Sequence, residues 1–284
     1  MNYFHVDVFS SRPLRGNGLA VVFPNKEIDR QTLLSITQEF KQFETVFIYP
    51  RCEESYPIRI FTIEEELDFA GHPILGAGAV IHKYFYPSKG SVDICFTVSG
   101  RMIHISSERL KNTFNVVMDQ GEPQFLMTVP RENHREIAVA LNVSIQDFHE
   151  EYPVEIVSTG LPYMLVPLKI NLEKAQIATS NFEGLLTKFG AKFVYLFDPE
   201  TLECRTWDNA GKVEDVATGS AAGPLCAYLV KNGYKQSGEV INIHQGKSVG
   251  RPSLIQGWVS EDKTSKRVFI RGEVALFGSG ELLI

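Results

Sequence analysis

Gly71-His72-Pro73-Ile74-Leu75-Gly76-Ala77-Gly78-Ala79-Val80-Ile81-His82 and Gly219-Ser220-Ala221-Ala222-Gly223-Pro224-Leu225-Cys226-Ala227-Tyr228-Leu229-Val230 decide the fold. Each reads as a helix that is apolar almost all round, and such a helix belongs in an interior, not on a surface. Gly inside a helix costs about 1 kcal/mol relative to Ala. Its repeated use here suggests that the backbone of a surrounding sheet comes very close. Pro73 sits in a first turn, and Pro224 also fits if its helix begins near Ser220. The second helix ends at Asn232-Gly233, a C-terminal stop. A sheet curling around a central helix, twice, is the implied architecture.

The segments around the two helices support a duplication. The first half runs Gly16-Asn17-Gly18-Leu19-Ala20, then Glu44-Thr45-Val46-Phe47-Ile48, then Arg59-Ile60-Phe61, then Gly71. The second runs Thr159-Gly160-Leu161-Pro162-Tyr163, then Lys192-Phe193-Val194-Tyr195, then Cys204-Arg205-Thr206-Trp207, then Gly219. The order is strand, helix, strand, strand, Gly-led helix in both. Periods this long fit duplicated domains. Helices are expected over 30–43, 73–84, 131–140, 144–149, 180–189 and 220–232. Among the strands, 113–118, 267–272 and 274–277 are expected as separate pieces, and residues 119–123 as the turn between halves.

The chain has 284 residues, 44% hydrophobic and 22% charged, with 28 basic against 34 acidic residues and a net charge of −6. That length suits two domains. The acidic balance argues against nucleic-acid and anionic-membrane surfaces, which need a basic stripe. It leaves room for a small carboxylate substrate held by a few local donors. No signal peptide and no 18-residue apolar run is visible, so a cytoplasmic protein with no membrane span is expected. Cys52, Cys95, Cys204 and Cys226 form no CxxC pair and are expected to be reduced, buried thiols. The dinucleotide and phosphate-loop motifs are absent, and neither a metal nor a cofactor is expected.

Chemistry is expected at the N-termini of the two apolar helices. Such an end presents unpaired N–H groups and the positive end of the helix dipole. Gly71 and Gly219 at the mouths let a carboxylate approach the backbone closely. Two pseudo-symmetric helices would aim both mouths at one inter-domain cleft. Two merely structural helices, with Ser220 as an N-cap, fit the spacing equally well. Glu44 opens an apolar strand, where desolvation raises a carboxyl pKa and favours proton transfer; a water-accessible rim glutamate is the alternative. His72 beside a helix N-terminus should be neutral. Asp215, four residues before Gly219, is either functional or a turn residue. Glu64 and Glu65 read as solvated. The remaining histidines (His5, His82, His104, His134, His149 and His244) read as structural or exposed.

Phe4-His5-Val6-Asp7, Gly16-Asn17, Glu44-Thr45, Glu66-Leu67-Asp68-Phe69-Ala70-Gly71-His72-Pro73, Ser158-Thr159-Gly160-Leu161-Pro162, Asp215-Val216-Ala217-Thr218-Gly219-Ser220, Gln245-Gly246 and Gly250-Arg251-Pro252-Ser253 together resemble the PhzF-like phenazine-biosynthesis family. The resemblance implies an α+β, diaminopimelate epimerase-like fold: two pseudo-symmetric domains, each a curled, mostly antiparallel sheet around an apolar helix. It places residues 1–116 and 272–284 in the first domain and 117–271 in the second. It also implies a homodimer and a cofactor-independent isomerase. Glu44 would be the general base and acid, His72, Asp215 and Ser220 its helpers, and the backbone of Gly71 and Gly219 the carboxylate site. Epimerases of this fold use two cysteines at the helix mouths; Ala70 and Thr218 stand there here and cannot titrate near neutrality. Gly18, Lys41-Gln42-Phe43, Ile63 and Ile74 also depart from the family pattern and leave the substrate open. Other readings are a binding protein without turnover, an epimerase-type enzyme, and a serine hydrolase acting through Ser220.

Overall fold

The computed structural model describes residues 1–261 and 265–284. The chain separates into two compact units, Met1–Asp119 with Ile270–Ile284, and Gln120–Phe269.

The first unit contains β1 (Asn2–Val8), β2 (Asn17–Phe23), α1 (Arg30–Phe40), β3 (Glu44–Ile48), β4 (Tyr56–Thr62), β5 (Glu66–Leu67), α2 (Gly71–Phe85), β6 (Ser91–Val98), β7 (Arg101–Arg109) and most of β8 (Thr113–Gly121). Its strands follow the order β1-β2-β3-β4-β6-β7-β8, with β5 on β4. The second unit contains β9 (Gln124–Thr128), α3 (His134–Ala140), β10 (Glu155–Ser158), β11 (Pro162–Pro167), α4 (Phe182–Lys188), β12 (Phe193–Phe197), β13 (Glu203–Arg205), α5 (Gly219–Lys231), β14 (Ile241–Gln245) and β15 (Ser253–Glu261). Here the order is β15-β14-β13-β12-β11-β10-β9. The long β16 (Lys266–Glu281) carries the chain back, and its later residues pair antiparallel with β1, from Val8↔Val274 to Asn2↔Glu281.

Both units repeat one connection. β2 lies parallel to β3 and β3 antiparallel to β4 before α2 begins. β11 lies parallel to β12 and β12 antiparallel to β13 before α5 begins. A helix crosses over in each parallel step, as a parallel pair requires. α2 is buried from Gly71 to His82 and packs on β1, β2, β3, β6 and β7. Its glycines are there for space. A Cβ on Gly76 would lie 2.3 Å from Leu19 Cδ2, and one on Gly78 would lie 2.1 Å from Ile105 Cδ1. α5 is buried from Gly219 to Leu229 against β10, β11 and β15. α1, capped by the Asp29 side chain on Thr32 N, covers the opposite face of β3 and β4 with Leu33 and Ile36, against Phe47 and Phe61.

Several expectations change. α5 begins at Gly219 with Thr218 as its N-cap, so Ser220 is no cap and Pro224 lies in the second turn. The ring there deletes one helical hydrogen bond. Residues 144–149 hold only a short 3₁₀ turn, Ile145–Asp147, and α1 stops at Phe40 because Lys41 turns left-handed. Residues 119–123 are strand as far as Gly121. The expected strands 267–272 and 274–277 are one strand. Gly272 is required there by packing, since its Cβ would lie 2.4 Å from the Phe9 ring. Only Cys204 and Cys226 are buried thiols; Cys52 is exposed and Cys95 half-buried. Among the described residues no helix is long and apolar enough to cross a membrane.

Candidate active site

The head of α2 gathers three polar side chains on one face of the sheet. Leu19 faces α2, since its side chain is what a Cβ on Gly76 would strike. Asn17, two residues earlier on β2, therefore points the same way, because side chains alternate along a strand. Leu19 is the register partner of Glu44 on β3, which sends the Glu44 carboxylate to that face too. All three groups are nearly sealed from solvent: Asn17 is 1% exposed, His72 4% and Glu44 7%. The water-accessible reading of Glu44 therefore fails. His72 Nε2 lies 3.2 Å from Glu44 Oε2, although its N–H is not aligned on the oxygen. On the ring's other side, Asn17 Nδ2 lies 3.5 Å from His72 Nδ1. Burial pushes the His72 pKa down to about 3, so the imidazole is neutral and the contact with Glu44 is not an ion pair.

Gly16 makes this placement possible. Its φ is +70°, and a Cβ there would lie 2.3 Å from the carbonyl oxygen of Val8. Only glycine fits both the left-handed turn and the close approach. The first expected helix mouth is otherwise uncapped: Ala70 is the N-cap of α2 and supplies no side-chain bond.

The head of α5 is built differently. Thr218 is its N-cap but gives the helix no side-chain bond. Its hydroxyl donates instead to Asp215 Oδ2 at 2.5 Å. Gln245, 1% exposed, ties this loop together. Its Oε1 accepts from Tyr195 Oη at 2.9 Å and from the Thr218 backbone N–H at 3.0 Å. Its Nε2 donates to the Asp215 carbonyl and to Thr218 Oγ1, each at 3.0 Å. All four sites of that carboxamide are used. Ser220 Oγ shares a 2.7 Å hydrogen bond with Tyr163 Oη, and the Gly219 carbonyl accepts from Gln120 Nε2 at 2.9 Å. Ser220 is thus paired with a phenol where a serine hydrolase would place an imidazole.

Behind each mouth stands the same ion pair. Arg59 Nε and Nη2 donate to Glu66 at 2.6 and 2.8 Å, and the guanidinium lies over the Phe61 ring. Arg205 Nε and Nη2 donate to Glu214 at 2.9 and 2.6 Å, and its guanidinium lies over Trp207. In both units the arginine precedes the aromatic by two residues, and the glutamate precedes the Gly of the helix by five. Neither pair carries a local sequence signal, nor do Tyr163 and Gln245, because nothing local marks a buried phenol or amide as a network centre.

The other expected residues are plain. Glu64 and Glu65 are exposed. His82 is structural, bonded to Ser107 Oγ and to the Lys89 carbonyl. Among the described residues no three His, Cys, Asp or Glu side chains gather as metal ligands. The broad groove of about 790 Å³ lies along α3 and α4, lined by Arg135, Val139 and Leu185 among others, and includes no residue of either mouth.

The profile of the phenazine biosynthesis-like protein family, PhzC-PhzF, matches residues 6–280. The chain belongs to that family. The trans-2,3-dihydro-3-hydroxyanthranilate isomerase of Pseudomonas fluorescens is 30% identical over 292 residues, covering 100% of this chain and 99% of the relative. A structure from Pseudomonas aeruginosa, described as that of a predicted epimerase, superposes with a TM-score of 0.93 at 40% identity, covering 100% of this chain and 99% of the other. A hydroxyproline epimerase from Agrobacterium vitis, with trans-4-hydroxy-L-proline bound, superposes with a TM-score of 0.67 at 11% identity over 99% of this chain and 90% of that one. That last likeness is one of fold alone. The protein is therefore an isomerase-type enzyme of the PhzF family, with the α+β, epimerase-like fold that the sequence implies.

Proposed function

We propose that this PhzF-family enzyme moves a proton within a small, amino-bearing carboxylate, with Glu44 as the single general base and acid. The observation that carries this reading is the Glu44 carboxylate, sealed from water and 3.2 Å from a neutral His72 at the head of α2. In the proposed step Glu44 removes a proton from a C–H bond of the substrate. The electron pair shifts along the adjacent double bond, and the same carboxylic acid returns the proton to another carbon. Atoms and charge balance without any oxidant, reductant or cofactor, and one carboxyl group suffices for both transfers.

The remaining residues take supporting parts. Asp215, whose Oδ2 receives the Thr218 hydroxyl, is suited to holding an amine. Ser220 and its partner Tyr163 are suited to a hydroxyl group. The backbone N–H groups at Gly71 and Gly219, at the starts of two helices whose N-caps supply no side-chain bond, are suited to the carboxylate. Two-thiol racemisation is disfavoured because Ala70 and Thr218 occupy the two N-cap positions.

The first candidate substrate is trans-2,3-dihydro-3-hydroxyanthranilate, on which the Pseudomonas fluorescens relative is named to act. Incubating it and a panel of small amino acids in D2O tests the reading by mass spectrometry and NMR. Turnover should be accompanied by label only where the returned proton exchanges with solvent. Glu44→Gln should abolish turnover while ligand affinity stays within a few-fold. Equal turnover by the variant would remove Glu44 from the role.

A further inference from the structure

We infer that Asn17 is a positioning residue that fixes the tautomer of His72, holding its proton on Nε2, the nitrogen that faces Glu44. This rests on the proposed role of Glu44 for its consequence in catalysis, but not for the tautomer itself. Neutral imidazole carries its proton on one of two nitrogens, and the hydrogen bond at one sets the state of the other. Asn17 Nδ2 lies 3.5 Å from His72 Nδ1. An amide N–H₂ can only donate, so Nδ1 is the acceptor and the proton resides on Nε2. That nitrogen is the one 3.2 Å from Glu44 Oε2.

The local backbone supports a dedicated role for Asn17. Gly16 turns left-handed against the Val8 carbonyl, and Asn17 enters β2 opposite Val8. The strand's alternation then carries its side chain to the α2 face, where it is 1% exposed. A hydrophobic residue would satisfy burial at this position, but only a donor holds the ring's proton on Nε2. The burial that keeps His72 neutral makes the choice of tautomer, not of charge, the variable that Asn17 controls.

The consequence is directional. With Nε2–H toward Glu44, the ring steadies one carboxylate oxygen and leaves the other for the substrate proton. With the proton on Nδ1, the bare Nε2 lone pair would face the carboxylate, disfavour its anion and accept a hydrogen bond from the protonated acid, holding Glu44 in the form that cannot take up the substrate proton.

The test is ¹⁵N-histidine labelling and two-bond ¹H–¹⁵N correlation at pH 8, with the His72 signals assigned by their loss in His72→Asn. Wild type should show the Nε2–H pattern. Asn17→Asp replaces the donor by an acceptor of the same shape and should convert His72 to the Nδ1–H pattern, with turnover reduced by about tenfold or more. Asn17→Leu, which can do neither, should give mixed tautomers and serves if the aspartate variant does not fold. A wild-type Nδ1–H pattern overturns the inference, since the amide would then present its oxygen. So does an unchanged Nε2–H pattern in the folded variants. Loss of turnover in Glu44→Gln with no tautomer change on replacing Asn17 would leave Glu44 as the base and remove Asn17 alone.

Discussion

The two units share a frame and differ at the helix mouth. Each sets an arginine over an aromatic ring, clamps it on a glutamate, and begins a buried helix five residues later. At the head of α5 the polar groups satisfy one another: Gln245 uses all four of its bonding sites and Thr218 both donates and accepts. At the head of α2, His72 Nε2 is buried without an aligned acceptor. A saturated network holds shape. A buried nitrogen 3.2 Å from a carboxylate and short of hydrogen-bond geometry leaves a bond free to tighten, as the proposed reaction requires. On one repeated frame, the proposed reading gives the first mouth the proton transfer and the second the orienting of a ligand.

The clamps offer the largest effect. Arg205 and Glu214 are each about 10% exposed as side chains, and Arg205 also donates to the Leu172 and Ala175 carbonyls. Glu214→Gln leaves that guanidinium buried and uncompensated, and should cost about 3–5 kcal/mol in urea unfolding. A loss below about 1 kcal/mol would mean that the second clamp is not structural.

Next comes the mouth of the first unit. His72 is held neutral, with its pKa lowered to about 3 against 6.5. The unfolded chain takes up a proton as pH falls below 6.5 and the folded chain does not until about pH 3. Stability is therefore fully present above pH 6.5 and is lost as pH drops through that window. Between pH 7 and pH 5 the loss should be about 2 kcal/mol, and it should vanish in His72→Asn. An identical pH dependence in both proteins would contradict the neutral imidazole.

The smallest effect belongs to the first clamp. Arg59 and Glu66 are 25% and 29% exposed, so solvent screens their attraction. Glu66→Gln should cost about 1 kcal/mol or less. Equal costs at Glu66 and Glu214 would erase the distinction in burial between the two clamps.

Sequence reading reached the frame because its signals are local. Glycine, proline and long, nearly unbroken apolar stretches marked α2 and α5, and shorter hydrophobic runs marked most strands. It missed β9, because Gln124–Thr128 is exposed throughout and has no buried alternation. It split β16 at Gly272, where glycine serves a ring contact and not a turn. Glu44 and His72 were legible as oddities, a carboxylate opening an apolar strand and a histidine at a helix head. Asn17, Tyr163 and Gln245 acquired meaning only through register and packing. Their partners lie 55, 57 and up to 50 residues away in sequence, and no local pattern encodes such distances.

The central claim is that Glu44 carries the proton, and replacing its carboxylic acid by an amide tests this most directly. Single-turnover conversion of trans-2,3-dihydro-3-hydroxyanthranilate, or of whichever amino acid of the panel wild type turns over, should fall by about 10²–10⁴-fold in Glu44→Gln, with ligand affinity by calorimetry changed no more than a few-fold. Conversion at the wild-type rate by a folded, ligand-binding Glu44→Gln protein would contradict the account.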